Sequence, residues 1–194
     1  MKKILCFIIL LIPIFAYADN TKDAVMALKK MEARVQSGIS YRDYGNALAD
    51  AKFPVNLFME SIEVKKNPEL TDSISKVMKH YEFAGDLWNA KIKAPLDDML
   101  HKGLIWDKKA MAKEIKDLYP NVPPPSGLLV KYYSVDLVLS VIWAEASKEL
   151  ENTTRLYAKR EGDSSNELDK LKKETERLQK ENDILKAKLI NKDR

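Results

Sequence analysis

The sequence has a single cysteine, Cys6, which lies in an apolar segment at the start of the chain. That segment has the features of a removable signal peptide, so we expect the mature protein to contain no cysteine. This absence excludes disulfides, thiol nucleophiles, thiolate metal sites and haem attached through a pair of cysteines. In a bacterial lipoprotein the cysteine stands at the cleavage point, whereas Cys6 lies inside the apolar run and is followed by further apolar residues. We therefore expect no lipid anchor.

Residues that carry catalysis or bind metals are scarce. The chain has two histidines, and His80 has no second histidine or carboxylate one helical turn away. His101 lies close to Asp97 and Asp98, but a surface histidine beside loop carboxylates is commoner than a metal site. The phosphate-binding glycine loops, GxSxG elbows and HExxH pairs that mark many enzymes are missing. The sequence therefore predicts a protein without enzymatic activity, metal or cofactor.

A concentration of charge of one sign is also absent. Without Lys2 and Lys3 the 33 basic residues fall to 31 against 29 acidic ones, so the mature net charge is +2. The charges are interspersed along the chain and form no basic patch. We therefore expect no nucleic-acid partner.

The first 18 residues form a targeting segment, a signal peptide. Lys2 and Lys3 precede an apolar run, and the segment ends in Ala16-Tyr17-Ala18, a small-x-small cleavage site. The run is too short to span a membrane as a helix, and polar residues follow it directly. The segment predicts export to the periplasm or the outside of a bacterial cell, with a mature chain that begins at Asp19.

Long apolar runs are missing from the rest of the chain. Residues 128–160 are the most apolar, yet Lys131 and Asp136 interrupt them, so we expect a central bundle helix there and no stable membrane span. The chain has only six glycines, and its amphipathic segments show no sustained alternation of period two. These features predict an all-α fold. A bundle of about five helices over residues 19–161 precedes a hinge at 162–165 and a coiled-coil helix at 166–191.

Caps and apolar spacing predict the bounds of the bundle helices. Ser40 after the Gly38 stop is typical of a helix start, as is Asn67 before Pro68. Pro54 falls inside the second helix and predicts a kink. The expected helices cover residues 20–37, 41–62, 68–94, 107–119 and 128–160. The predicted inward faces include Ile62 on the second helix, Trp88 and Ile92 on the third, and Ala110, Met111, Ile115 and Leu118 on the fourth.

The last segment carries an apolar seam with alternating spacings of three and four, which is the heptad rule of a coiled coil. One helix cannot bury such a seam alone. The seam is short and two of its four a positions are polar, so we expect a weak association. The a positions are Leu168, Thr175, Asn182 and Leu189, and the d positions are Leu171, Leu178 and Leu185.

The charges beside the seam predict how it pairs. A parallel homodimer brings Glu167 near Lys172 and Glu181 near Lys186, whereas antiparallel pairing opposes glutamates at g positions. The single asparagine at an a position also favours two strands in register. The alternatives are pairing with another envelope protein and packing of this helix on its own bundle. The hinge at 162–165 is not needed if the two helices fuse.

A second candidate site lies on the predicted fifth helix. Asp136, Ser140 and Trp143 follow one another at helical spacing, and Tyr132 lies one turn before Asp136. A carboxylate, a hydroxyl and aromatic rings on one stripe would suit a small cationic or polar ligand. The competing interpretation is structural: Asp136 accepts a hydrogen bond from a tyrosine or faces water at a helix junction, since buried polar groups are usually satisfied within the fold.

Two functional hypotheses follow from these patterns. The leading one is a non-enzymatic, exported scaffold or adaptor that associates through a C-terminal parallel coiled coil. The alternative is a periplasmic ligand-binding or sensor bundle with a pocket along residues 128–160. The identity of the partner or ligand does not follow from composition and periodicity.

Overall fold

The fold is known from a computed structural model, which describes residues 19–106, 109–124 and 132–192. The expected signal peptide, Asp107 and residues 128–131 lie outside the described residues. The long helices are α1 (Asn20–Gln36), α2 (Tyr41–Glu60), α3 (Pro68–Lys93) and α5 (Val135–Lys192). The shorter elements are a 3₁₀ helix (Ile62–Lys65), β1 (Leu104–Trp106), α4 (Ala110–Leu118) and β2 (Tyr132–Ser134). The protein is therefore mostly helical, as predicted.

The helix starts agree with the capping signals in the sequence. The side chains of Asp19, Ser40 and Asn67 each accept a hydrogen bond from a backbone N–H in the first turn of α1, α2 and α3. These bonds satisfy donors that an α-helix leaves free at its start. Gly38 lies in the turn between α1 and α2 and has a φ of +83°. This backbone conformation is unfavourable for residues that carry a side chain.

Four helices form an antiparallel bundle in which α1 contacts α2 and α5, and α3 contacts α2 and α5. Polar pairs mark the antiparallel neighbours. Arg34 of α1 pairs with Asp50 of α2 at 3.0 Å, and Lys91 near the end of α3 pairs with Asp136 near the start of α5 at 3.0 Å. The bundle is therefore up-down-up-down, with the two strands and α4 inserted between α3 and α5.

The core is one cluster to which every long helix contributes. Tyr44 is one of its large buried members, and its hydroxyl donates to the backbone carbonyl of Tyr81 at 2.8 Å. The rings of Trp88 and Trp143 lie 5.6 and 6.1 Å from the Tyr44 ring, which joins α2, α3 and α5. Burial raises the pKa of Tyr44, so this hydroxyl stays neutral.

Two elements differ from the sequence prediction. Residues 132–134 form a strand that pairs antiparallel with β1, with Ile105 opposite Tyr133. The prediction of a helix through Tyr132 and Tyr133 is therefore wrong, because aromatic residues favour a pleated ladder once a partner strand is available. The fifth helix begins at Val135.

The face of α4 was also mispredicted. Its buried residues are Ala112 and Ile115, whereas Ala110 is exposed and Leu118 is 55 % exposed. Only Ile115 of the predicted inward set is buried, and Met111 is half-buried. In a helix of nine residues a single stripe reaches the core, and here it runs from Ala112 through Ile115 to the buried Tyr119.

Two further residues predicted to face inward are exposed. Ile62 lies in the 3₁₀ helix and is 65 % exposed, and Ile92, in the last turn of α3, is 49 % exposed. Trp88 is half-buried against the core. The helix α2 continues through Pro54. Among the described residues no helix is long and apolar enough to cross a membrane.

Candidate functional site

The last helix, α5, has two halves with different surroundings. Its first half lies in the bundle and buries a stripe on α1 and α3. From Gly162 onward every side chain that the structure describes is exposed, and Leu171 is 59 % exposed. The buried residues of the first half are Val135, Val138, Leu139, Ile142, Ala146, Leu150, Thr153 and Leu156.

A polar network holds the middle of α5 against α3. The Ser73 hydroxyl donates to Glu149 Oε1 at 2.6 Å and lies 2.7 Å from Thr153 Oγ1. Thr153 Oγ1 also donates to the Glu149 carbonyl at 2.8 Å, and Asn152 Nδ2 donates to Glu149 Oε1 at 3.3 Å. Ser73 and Thr153 are fully buried, so these bonds satisfy polar groups that would otherwise be costly in the core.

An ionic cluster fixes α5 where it leaves the bundle. Arg160 lies 3.6 Å from Asp19 and 3.8 Å from Glu63. The Glu63 carboxylate also accepts hydrogen bonds from the backbone N–H and the hydroxyl of Thr21. The start of α1, the 3₁₀ helix and α5 therefore meet at one end of the bundle. Neither this cluster nor the Ser73 network has a local sequence signal, because its members come from distant segments.

The helix continues beyond Arg160 without a break. Residues 162–165, where the sequence predicts a hinge, are helical. Gly162 lies inside the helix, and a Cβ added there would meet no atom within 4 Å. Of the two alternatives that the sequence leaves open, the backbone has the fused helix. Residues 162–192 extend about 46 Å at 1.5 Å per residue.

The backbone of the predicted seam is helical from Leu168 to Leu189. Leu171 and Thr175 are exposed, and the Thr175 hydroxyl donates to the Leu171 carbonyl at 2.9 Å. The other seam side chains, Leu168, Leu178, Asn182, Leu185 and Leu189, lie outside what the structure describes. Spacings of three and four residues place these positions on one face of the helical backbone.

The seam lies on the same side of α5 as the stripe that faces the core. At 100° per residue, positions about 18 apart coincide around a straight helix. Leu168 is therefore in phase with the buried Leu150, and Leu171 with the buried Thr153. A partner helix on the seam would lie beyond the ends of α1 and α3, in line with these two helices, which cover the first half of α5.

The second predicted set of site residues does not share one environment. Asp136 is 78 % exposed and accepts a hydrogen bond from Lys91, and the exposed Ser140 donates to the Leu137 carbonyl. Trp143 packs in the aromatic cluster, and Tyr132 lies in β2. The structure thus places a solvated ion pair where the sequence suggested a ligand carboxylate.

Each of the two histidines has a hydrogen-bonding partner within the fold. His80 Nδ1 lies 2.8 Å from the Tyr119 hydroxyl, which joins α3 to the loop after α4. Burial lowers the pKa of His80, and burial raises the pKa of Tyr119 to about 12. His101 Nδ1 is 3.1 Å from the Ala94 carbonyl. No group of three potential metal ligands occurs among the described residues.

An apolar groove between α1 and α2 was not predicted from the sequence. Met26, Phe53 and Leu57 border it and are 46, 68 and 44 % exposed. The heptad and core patterns of the sequence predict which stripes are buried, whereas this groove is formed by the residues beside those stripes.

Comparison with known proteins gives no further constraint on the site: no protein family, curated protein or solved structure is detectably similar to this chain.

Proposed function

We propose that this protein is a non-enzymatic, exported scaffold or adaptor whose bundle is carried on a coiled-coil stalk formed by the second half of α5. The observation that carries the proposal is the continuation of α5 for about 46 Å beyond Arg160 with every described side chain exposed. In proteins most of the stability of a helix comes from packing of its apolar face rather than from intrinsic helix propensity. A seam of leucines on such a helix is an association surface.

The continuous backbone argues against packing of the seam on its own bundle. A return of the tail onto α1 or α3 needs a turn, and residues 162–165 are helical. The cover must then come from a second chain. We take that chain to be another copy, because the g and e charges of the sequence complement each other in a parallel pair.

A parallel pair requires a bend in α5. Since the seam and the core stripe share a side, the α5 helix of each chain must bend away from the partner's bundle just after Arg160. Glycine and serine are the residues at which helices bend most readily apart from proline, and Gly162, Ser164 and Ser165 lie at this point. The bend keeps the helical hydrogen bonds and lies at residues 162–165, where the sequence predicts a hinge.

A disulfide test suits this protein because the expected mature chain has no other cysteine. Thr175→Cys places a thiol at an a position, where two parallel, in-register helices bring it opposite its own copy. Lys173→Cys, at the outward f position, is the matched control. We expect mild oxidation to crosslink the Thr175→Cys chain into a dimer and to leave the Lys173→Cys chain largely monomeric on a non-reducing gel.

Two further variants test the seam itself. Leu178→Glu puts a charge at a d position, and Ile184→Glu makes the same kind of change at an outward c position of the same helix. We expect only Leu178→Glu to abolish the crosslink and the sedimentation of the tail dimer. A dimer that survives Leu178→Glu, or equal crosslinking through both cysteines, would refute pairing through the seam. A dimer that no Thr175→Cys disulfide captures would refute the parallel arrangement.

A further inference from the structure

We infer that the groove between α1 and α2 is a second self-association surface, at which the bundle binds the same face of another copy. This inference does not depend on the coiled coil. The groove encloses about 390 Å³ and has the buried Met31, Ala47 and Ala51 beneath it. It is bordered by Met26, Phe53 and Leu57, which are among the large apolar side chains exposed in the described part of the chain. Apolar residues that cluster in this way usually mark an interface.

The charges around the groove identify the occupant. Its polar border carries two acids, Asp23 and Asp50, and two bases, Lys30 and Arg34. A strongly acidic or strongly basic partner would meet like charges on half of this border. A second copy of the same face has the same balance of signs, so it can place each acid against a base.

The order of the charges on α1 fixes the arrangement. Asp23 lies near the start of α1 and Lys30 lies towards its end, each about one turn from Ala27. If two α1 helices cross antiparallel near Met26 and Ala27, Asp23 of each copy faces Lys30 of the other. Within the described residues neither side chain forms an ion pair, whereas Arg34 and Asp50 already pair across the groove.

The size of this face predicts a weak, reversible contact. Helices of 17 and 20 residues are about 26 and 30 Å long, and two helices side by side are about 20 Å wide. Their joint face is then roughly 500 to 600 Å² per chain, below the roughly 800 Å² of a standard interface. We expect a dissociation constant in the range of roughly 10 to 1,000 μM.

The two proposed interfaces can be measured separately. Leu178→Glu with Leu185→Glu removes the seam from the full mature chain and leaves the groove intact. Sedimentation equilibrium of this seam-disabled chain, from about 5 to 500 μM, should show a monomer–dimer equilibrium. Adding Phe53→Asp should weaken this dimer at least tenfold. Adding Ile92→Asp, which charges an exposed apolar residue on α3, should change it less than about twofold.

A charge exchange tests the antiparallel arrangement. Asp23→Lys and Lys30→Asp should each weaken the dimer by about threefold to tenfold. The chain with both changes restores two opposite pairs and should return to within about twofold of the parent. No such recovery is expected from non-specific adhesion of apolar residues. Failure of the double variant to recover would overturn the antiparallel α1 contact.

The masses also separate this inference from the proposed stalk. If both interfaces form, the unmodified mature chain reaches four copies or more at high concentration, and either set of substitutions alone reduces it to a dimer. A seam-disabled chain that stays monomeric to 500 μM would overturn the groove dimer even if the stalk is confirmed. If Phe53→Asp weakens only chains with an intact seam, the groove holds the tail of another copy and the inference is wrong.

Discussion

Two glycines in helix interiors allow a sharp test of how closely α2 and α3 pack. Replacing glycine by alanine inside a helix gains about 1 kcal/mol, because alanine loses less backbone entropy on folding. At Gly45 a Cβ would meet no atom within 4 Å, so the full gain should appear. At Gly85 a Cβ would lie 3.0 Å from Leu48 Cδ2 and 3.4 Å from Tyr44 Cε1.

The cost at Gly85 follows from what those neighbours can do. The Tyr44 ring is buried and held by its bond to the Tyr81 carbonyl, so Leu48 must move. Overpacking of this kind typically costs 1 to 3 kcal/mol, about equal to or larger than the propensity gain. We therefore expect Gly45→Ala to stabilise the protein by about 1 kcal/mol and Gly85→Ala to leave it unchanged or less stable by up to about 2 kcal/mol.

Urea denaturation of the two variants, followed by far-ultraviolet circular dichroism, measures the difference. For a protein of this size 1 kcal/mol corresponds to about 2 to 4 °C in melting temperature, so thermal melts give an independent check. The reasoning would be refuted if Gly85→Ala stabilised the protein as much as Gly45→Ala, because α2 and α3 would then be farther apart than the structure has them.

Three further predictions concern single side chains. Thr153→Val should cost about 1 to 2 kcal/mol in unfolding experiments, because it leaves the Ser73 hydroxyl with fewer partners, whereas Thr154→Val removes only a bond to the Leu150 carbonyl and should cost less than about 0.5 kcal/mol. Asp136→Asn should change stability by less than about 1 kcal/mol, because the Asp136 side chain is 78 % exposed; a larger loss by urea titration would contradict that placement. The pKa of His80 is lowered in the folded protein. The stability that His80 contributes to the fold is therefore complete above the unfolded pKa of about 6.5 and is lost as the pH falls through the lower folded pKa. His80→Gln should therefore reduce the loss of stability on acidification from pH 7 to 5, and an unchanged slope would show that carboxylates alone cause it.

The helix starts were predictable because a cap is a local interaction. Ser40 and Asn67 each accept a bond from the N–H three residues along the chain, so the signal and its partner lie within one turn of sequence. The core stripes of α1 and α2 were predictable for the same reason, since residues three and four apart share a helix face.

The two strands were not predictable because each depends on a partner far along the chain. Ile105 and Tyr133 pair across a separation of 28 residues, and each strand has only three residues. A run of three apolar or aromatic residues fits a helix as well as a strand, and only the ladder decides. The Ser73 contact with Thr153 spans 80 residues, so it was equally hidden from local patterns.

The candidate site was partly predictable, and residues 162–165, where the sequence leaves a hinge and a fused helix open, show why. The signals for a break there are local: a glycine, then Ser164 followed by Glu167 in the spacing of a capping box. The argument for continuity extends over five turns, since the core stripe that ends with Leu150 and Thr153 is in phase with Leu168 and Leu171. A loop is needed only where the apolar face has to move to another side of the helix; here the face keeps its side, and the bend proposed at residues 162–165 keeps the helix. Breaking the helix here would exchange backbone hydrogen bonds for bonds to water and gain no new contact. The same phase relation places the seam positions on the side of α5 that faces α1 and α3, so a partner of the proposed stalk would meet it at the end of the bundle where Arg160 meets Asp19.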